Sequence, residues 1–424
     1  MLKRYRYRAY PTPRQRQNVR RLFGCVRTVY NDALMSREQA YKDGRTAPDR
    51  RELSAALTRS KLTPEREWLT EVSSVPLQQA LDDLGRAYRN FFESMKGKRR
   101  GQKVQAPRLR KRSSRQSARF TRNAGFRVRE TSHGLGFLTL PKIGRIRYNS
   151  SRALPSEPSS VTLVQERDGR YYVSFVVDEP AVPDCPLEIE RPTAGVDLGL
   201  ADLATIARTD GSRDKIENPR WMRTKEHRLA RAQRALSRKK KGSANWAKAR
   251  IRVARQHQKI RETRLDHHHK LALHLVRENQ AVAVENLAIV GLARTQLAKS
   301  IHDAGWAILV RLLEEKAPQH GSRVVTAGRW APTTQTCAVC GAPGGKKALH
   351  IRTWQCQGCS STLDRDYNAA VNIMVAAGLA ETLNACGGSV RRQLAVADPV
   401  KQEPTEQTPS RKAGMRRNHP NSWR

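Results

Sequence analysis

Cys337 and Cys340 form one C-x2-C pair, Cys356 and Cys359 form a second, and fifteen residues separate the two. Thiolates are soft ligands, and pairs at this spacing match a tetrahedral zinc site whose four positions are all filled by protein, so one structural Zn²⁺ is expected there rather than a reactive metal. Zinc binding, of order 10 to 16 kcal/mol in small peptides, is enough to fold a ribbon too small for its own core. The remaining cysteines, Cys25, Cys185 and Cys386, stand alone, which is unlike a secreted disulfide framework. Only seven residues beyond Cys359 comes Asp366, in the segment LDRDYNAAVNIM.

If a helix runs from about Asp366 to Gly378, then Asp366, Ala369, Ala370, Ile373 and Ala377 share its inward face, and Asp364 falls near the N-cap. An acid on the buried face of a first turn is costly unless a cation or hydrogen bonds compensate it. Two other segments raise the same question. AGVDLGLADLATIARTDGS reads as two strands, with Val196, Leu198 and Leu200 on one face of the first and Gly195, Asp197 and Gly199 on the other. The glycines leave room beside Asp197 for a ligand. In AVAVENL, Glu285 likewise shares a strand face with Ala281 and Ala283. Singly, each acid reads as an ordinary cap or ion-pair partner. Together, in a chain with 80 Lys and Arg against 39 Asp and Glu, a formal charge of +41, they point to phosphodiester hydrolysis. Two Mg²⁺ ions about 3.5 to 4 Å apart, held by Asp197, Glu285 and Asp366, suit that reaction, because oxygen ligands prefer hard cations.

The elements that must position these residues follow from periodicity. Residues 2 to 10 alternate, with Tyr5, Tyr7 and Ala9 opposite Arg4, Arg6 and Arg8, as in a half-buried strand. From Arg14 to about Ala33 the apolar residues, Cys25 among them, take helical spacing, and Leu77, Leu81, Leu84, Tyr88, Phe91, Phe92 and Met95 repeat it. FLTL, GRIRY and SVTLVQERDGRYYVSFVVD read as strands, the last two runs joined at Asp168-Gly169 as a hairpin. Prolines at 180, 183, 186 and 192 mark a boundary. Lys96 to Arg129 holds fourteen Lys or Arg and no acid, and Pro219 to Arg264 holds seventeen against two Glu, so phosphate backbones are the expected partners of both stretches. His267, His268 and His269 read as a solvated or RNA-facing stretch rather than a metal site. No apolar run approaches the length of a membrane span, and the basic N-terminus has no signal-like core, so the expected location is cytoplasmic with no membrane partner.

The segments GVDLGLADLA, VAVENLAI, KSIHDAGWAILVRLLEEKA, TQTCAVCG and LDRDYNAAVNIM, with YRAYPTPRQRQNVRRLFGCVRTVYN and ETLNACGG, closely resemble the TnpB or OrfB-type proteins of bacterial insertion sequences, relatives of type V CRISPR effectors. The resemblance reaches to about Gly388. It implies an α+β multidomain chain: a RuvC-like nuclease of RNase H fold with an inserted zinc ribbon, a wedge-type β-barrel and a helical recognition region. Residues 1–11 would supply the first barrel strand, 12–97 the recognition region, 98–190 the rest of the barrel, 191–335 and 362–388 the nuclease, and 336–361 the ribbon. Residues 389–424 read from composition as a disordered basic tail. The resemblance further implies a guide RNA from the element's end, a double-stranded DNA target cut beside a short flanking motif, and a nucleoid-associated bacterial protein. It assigns catalysis to Asp197, Glu285 and Asp366, and zinc to the four paired cysteines. Gln78 and Gln79, in PLQQAL, are the expected readers of the flanking motif. An autonomous transposase and a non-cleaving regulator are the competing readings of the same composition.

Overall fold

A computed structural model describes residues 2–99, 103–131, 134–179, 191–348 and 350–380. Cys185, Cys386, the residues beyond Ala380 that were assigned to the nuclease, and the 389–424 tail lie outside the described residues.

The N-terminal part is built on β1 (Leu2–Tyr10), whose alternation buries Tyr5, Tyr7 and Ala9. Three helices follow: α1 (Pro13–Lys42), α2 (Arg50–Ser60) and α3 (Ser74–Met95). Thr12 and Gln15 cap α1 reciprocally, each side chain taking the other's backbone N–H, and Pro13 begins the helix. Six further strands are β2 (Gln116–Thr121), β3 (Arg127–Glu130), β4 (Leu135–Leu140), β5 (Gly144–Asn149), β6 (Ser160–Gln165) and β7 (Tyr171–Asp178). They assemble with β1 in the order β2-β6-β7-β1-β5-β4-β3, antiparallel throughout. The ends of this ladder, β2 and β3, are not paired with each other among the described residues. Gly169 turns the β6–β7 hairpin at φ 82°, where a side chain would be strained. The core contact of α3 covers its first three turns through Leu77, Leu81 and Leu84, whereas Phe92 and Met95, expected on its inner face, are exposed.

The second part is a five-stranded sheet of β8 (Thr193–Asp197), β9 (Asp202–Arg208), β10 (Arg213–Glu217), β11 (Ala281–Val284) and β12 (Arg323–Thr326). The order is β10-β9-β8-β11-β12; β9 runs antiparallel to both neighbours, and β11 runs parallel to β8 and β12. Between β10 and β11 the chain makes a helical hairpin, α4 (Trp221–Ser237) and α5 (Ala244–Glu278), turning at the basic SRKKKGS segment. After β11 come α6 (Ile289–Leu292), α7 (Ala298–Ala304) and α8 (Trp306–Lys316). The hairpin β13 (Thr353–Gln355) and β14 (Thr362–Asp364) leads into α9 (Arg365–Ala376).

The strand alternation divides this core into two layers. Val196, Val282 and Val284 pack with Leu275, Leu309 and Leu313 of α5 and α8. Ala207, Ala283, Ala370, Ile373 and Met374 form the layer on the other side. Gly195 sits beneath α9 so closely that an added Cβ would lie 1.9 Å from the Ala370 carbonyl oxygen. The space expected for a ligand at Gly195 is therefore filled by the helix that carries Asp366. Arg191, two residues before β8, donates to the carbonyls of Val276, Arg277, His320 and Gly321 and so ties the sheet to the end of α5 and the approach to β12.

The histidine cluster differs from expectation. His268 is fully buried, packs edge-on to Trp221, and its Nε2 lies 2.9 Å from the Ala304 carbonyl oxygen. Burial pushes its pKa down to about 4, so it is a neutral core residue rather than a solvated or RNA-facing one. A helix period of 3.6 lets one of three consecutive residues turn inward while His269 remains exposed.

Candidate active site

Asp197 ends β8, and Glu285 follows the last residue of β11. In the parallel ladder Val196 is opposite Val284. One step further along both strands, Asp197 and Glu285 stand side by side at the ends of two central strands, on the face that packs against α9. Asp366 lies in the first turn of α9. These three are in electrostatic contact: burial, then Glu285, then Asp366 raise the pKa of Asp197 to about 7. The ordinary aspartate value is about 3.9. Ionising Asp197 here is therefore costly, first because it is buried and then because two carboxylates face it, and all three groups offer hard oxygen donors. The carboxylates are more spread than the cysteines, which are the one set of three or more potential ligands with donor atoms all within 4.8 Å among the described residues.

Neighbours fix each carboxylate. Thr333 donates its hydroxyl to Glu285 Oε1 at 2.8 Å, and Arg352 Nη1 lies 3.4 Å from both oxygens of Asp366. Asp364 has a separate task, accepting the backbone N–H groups of Asp366 and Tyr367 as N-cap and pairing with Lys215 at 2.8 Å. The phase expected for this helix agrees, with Ala369, Ala370 and Ile373 fully buried.

The raised Asp197 pKa has a measurable consequence. With magnesium absent and zinc retained, Asp197→Asn protein is expected to melt a few degrees above wild type at pH 8. The folded carboxyl holds its proton to about pH 7 while the unfolded one releases it near 4, so wild-type stability falls as pH rises between these values. The gap should shrink as pH drops from 7 towards 4. A calorimetric gap unchanged over that range would show that Asp197 carries no such charge cost.

The four cysteines come from two tight turns. Cys337 N–H donates to Ala342 and Gly341 N–H to Cys337, while Cys356 N–H donates to Ser361 and Ser360 N–H to Cys356. Sulfur separations are 3.8 Å for Cys337–Cys359 and 3.6 Å for Cys340–Cys356. A tetrahedron with metal–sulfur bonds of about 2.3 Å has edges of about 3.8 Å, which these two separations match, and all four sulfurs lie within 4.8 Å of one another, so the quartet suits zinc. The second turn closes the β13–β14 hairpin, and β14 ends on Asp364, the N-cap of α9. Arg365 N–H also donates to the Arg352 carbonyl at 2.7 Å. The first turn reaches the other side of the same helix, where Asn368 Oδ1 accepts the Ala338 N–H.

Sequence reasoning missed Thr333, Asn368 and Asn372. Both asparagines are buried, and their amides donate to the carbonyls of Thr333 and Thr336. They therefore connect α9 to the residue that holds Glu285. Two asparagines four apart on an otherwise apolar helix face were the available signal. Gln78, by contrast, bonds to Ser54, and Gln79 donates to Asp82, both within the helical region.

A cleft of about 690 Å³ lies between the first sheet and α5, lined in part by Arg115, Arg167, Arg250 and Arg261. Glu262 of α5 bridges to Arg170, in the turn before β7, at 3.2 Å and to Tyr172 of β7 at 3.0 Å, holding its walls together. Among the described residues no helix is long and apolar enough to cross a membrane.

Three family models match: OrfB_IS605, described as "Probable transposase", over residues 174–296; the Cas12f1-like TNB domain over 306–373; and the OrfB_IS605 helix-turn-helix domain over 1–46. A Streptomyces pristinaespiralis protein named "Putative RNA-guided DNA endonuclease" is 42% identical, covering 95% of this chain and 96% of its own. The Escherichia coli K12 protein "Putative RNA-guided DNA endonuclease InsQ" is 31% identical over 96% of this chain and 98% of its own. Among solved structures, one described as a Cas12f1-sgRNA-target DNA complex aligns with 88% of this chain and 98% of its own, at a TM-score of 0.48 and 13% identity.

Proposed function

The chain belongs to the TnpB (OrfB-type) family of insertion-sequence proteins, and from that premise we propose that it is an RNA-guided DNA endonuclease cutting at Asp197, Glu285 and Asp366. The observation that carries this reading is the convergence of two parallel strand ends and one helix turn on a buried site, where desolvation and then the neighbouring carboxylates Glu285 and Asp366 raise the Asp197 pKa to about 7. The strand order, with its second strand antiparallel and two parallel strands added beside the first, supports the RuvC-like RNase H assignment.

In this reading the three carboxylates hold Mg²⁺, two ions in the working site, and the cysteine quartet holds one structural Zn²⁺. Magnesium supplies positive charge that polarises the phosphodiester and offsets charge developing on its oxygens. Thr333 orients Glu285, Arg352 orients Asp366, and the backbone of β8 fixes Asp197. Glu285 and Asp366 are thus held in place by side-chain partners before a phosphate arrives.

The arginine-lined cleft is suited to phosphate backbones through charge alone, which provides affinity without reading sequence. Guided recognition assigns sequence choice to base pairing between guide and target. The test is reprogramming. Protein purified from cells making the element-end transcript should retain that RNA, and replacing the guide segment should redirect Mg²⁺-dependent cutting to the newly complementary duplex with the flanking sequence kept. RNA-free protein that cuts or joins a defined DNA end equally well would instead identify an autonomous transposase. Loaded protein that binds its target but never cuts it would identify a regulator.

A further inference from the structure

Trp330 is 88% exposed, more than any other large hydrophobic side chain among the described residues. It occupies the short loop that leaves β12 and ends at Thr333. Both ends of that loop are fastened beside the acids. At its start, Ala327 N–H donates to the carbonyl of Val284, the neighbour of Glu285, at 2.9 Å. At its end, the buried Thr333 holds Glu285 through its hydroxyl, and Asn372 holds the Thr333 carbonyl at 2.7 Å. Internal bonds from Ala331 N–H to Gly328 and from Thr333 N–H to Ala331 stiffen the span, and Pro332 fixes one of its torsions. Trp330 is three residues from each anchor, and a chain extends at most about 3.6 Å per residue, so its Cα lies within roughly 11 Å of both.

The indole on this stiffened loop presents a π-face to solvent, with the Arg329 guanidinium 5.5 Å from its ring centroid. The residues around it, Gly328, Arg329, Ala331 and Pro332, offer too little apolar surface to dock a folded protein. An aromatic face paired with a cation instead matches an unpaired nucleobase and its phosphate. A base inside a duplex has both faces covered by its neighbours, so only a single strand supplies one. We propose that Trp330 is a stacking platform for one unpaired base of the DNA strand entering the acidic site, with Arg329 meeting the adjoining phosphate. This inference rests on the three acids being the site of DNA cutting. Trp330 acts by positioning the strand and takes no part in the chemistry.

The experiment uses RNA-loaded full-length protein and targets lacking a single base at successive positions around the cut. Base–aromatic stacking is worth about 5- to 150-fold in affinity per base, so Trp330→Ala is expected to slow cutting roughly tenfold, with Trp330→Phe close to wild type. One omitted base should slow wild type by a similar factor and leave Trp330→Ala no slower than before. Equal cutting by Trp330→Ala and wild type, or equal slowing of both by every omitted base, would overturn the proposal. So would loss of zinc or a lowered melting temperature in Trp330→Ala, because the effect would then be on folding. A second arm needs no cutting. In magnesium-free buffer at fixed salt, wild type should bind a short labelled single strand about tenfold more tightly than its fully abasic counterpart, and Trp330→Ala should lose that preference. If no variant cuts any target, the endonuclease reading fails, while this preference still decides the role of Trp330.

Discussion

Asp197→Ala, Glu285→Ala and Asp366→Ala should each lower guided cleavage by at least about a hundredfold, the scale of losing one preorganised electrostatic group, with RNA loading unchanged. The large effect follows from the way the site is assembled. Asp197 and Glu285 leave neighbouring parallel strands in register, and Asp366 comes from a helix seated directly on Gly195. Asp364→Ala is the discriminating control. It removes an N-cap worth about 0.5 to 2 kcal/mol and the pair with Lys215, but no proposed metal ligand, so its effect on cutting should be mild. Single-turnover cleavage of a matched target at saturating RNA and Mg²⁺ separates the two aspartates. Loss of cutting in Asp364→Ala with retention in Asp366→Ala would exchange their roles.

Cys337→Ser should abolish stoichiometric zinc and reduce cutting at least about tenfold, although no cysteine is expected to touch the substrate. The four sulfurs already lie within 4.8 Å of one another, and the binding energy of such a site is itself folding energy for the segment. Two routes carry the damage to the acids. One runs from the second cysteine turn through β14 into the N-cap of α9, and so to Asp366. The other runs from Ala338 through Asn368 and the Thr333 carbonyl to the hydroxyl that holds Glu285. Metal analysis should find about one zinc per wild-type chain and none in the variant. Hydrogen exchange should show new opening across the ribbon and the first turns of α9. Wild-type protein free of zinc after purification without chelators, yet fully active, would contradict this coupling.

The zinc spacing, the phase of the final helix, the capping role of Asp364 and the small residues beside Asp197 and Glu285 were all legible in the sequence. Each is a local pattern, in which a period of two or 3.6 residues fixes which side chains share a face. What those small residues are for was not legible. Gly195 and Ala283 do not leave space for a ligand; they admit α9, which lies far downstream in sequence. The inward turn of His268 was likewise hidden, because its place depends on Trp221 and the Ala304 carbonyl, which lie on other helices. By itself, then, the sequence determined the candidate residues, their spacing along the chain and the face each one takes within its own element. The tertiary structure alone decided that Val196 registers with Val284, and that Thr333 reaches back across 48 residues to Glu285. Local periodicity is set by backbone geometry within a few residues, whereas register between distant segments is chosen by packing of the whole core, which no short window of sequence contains.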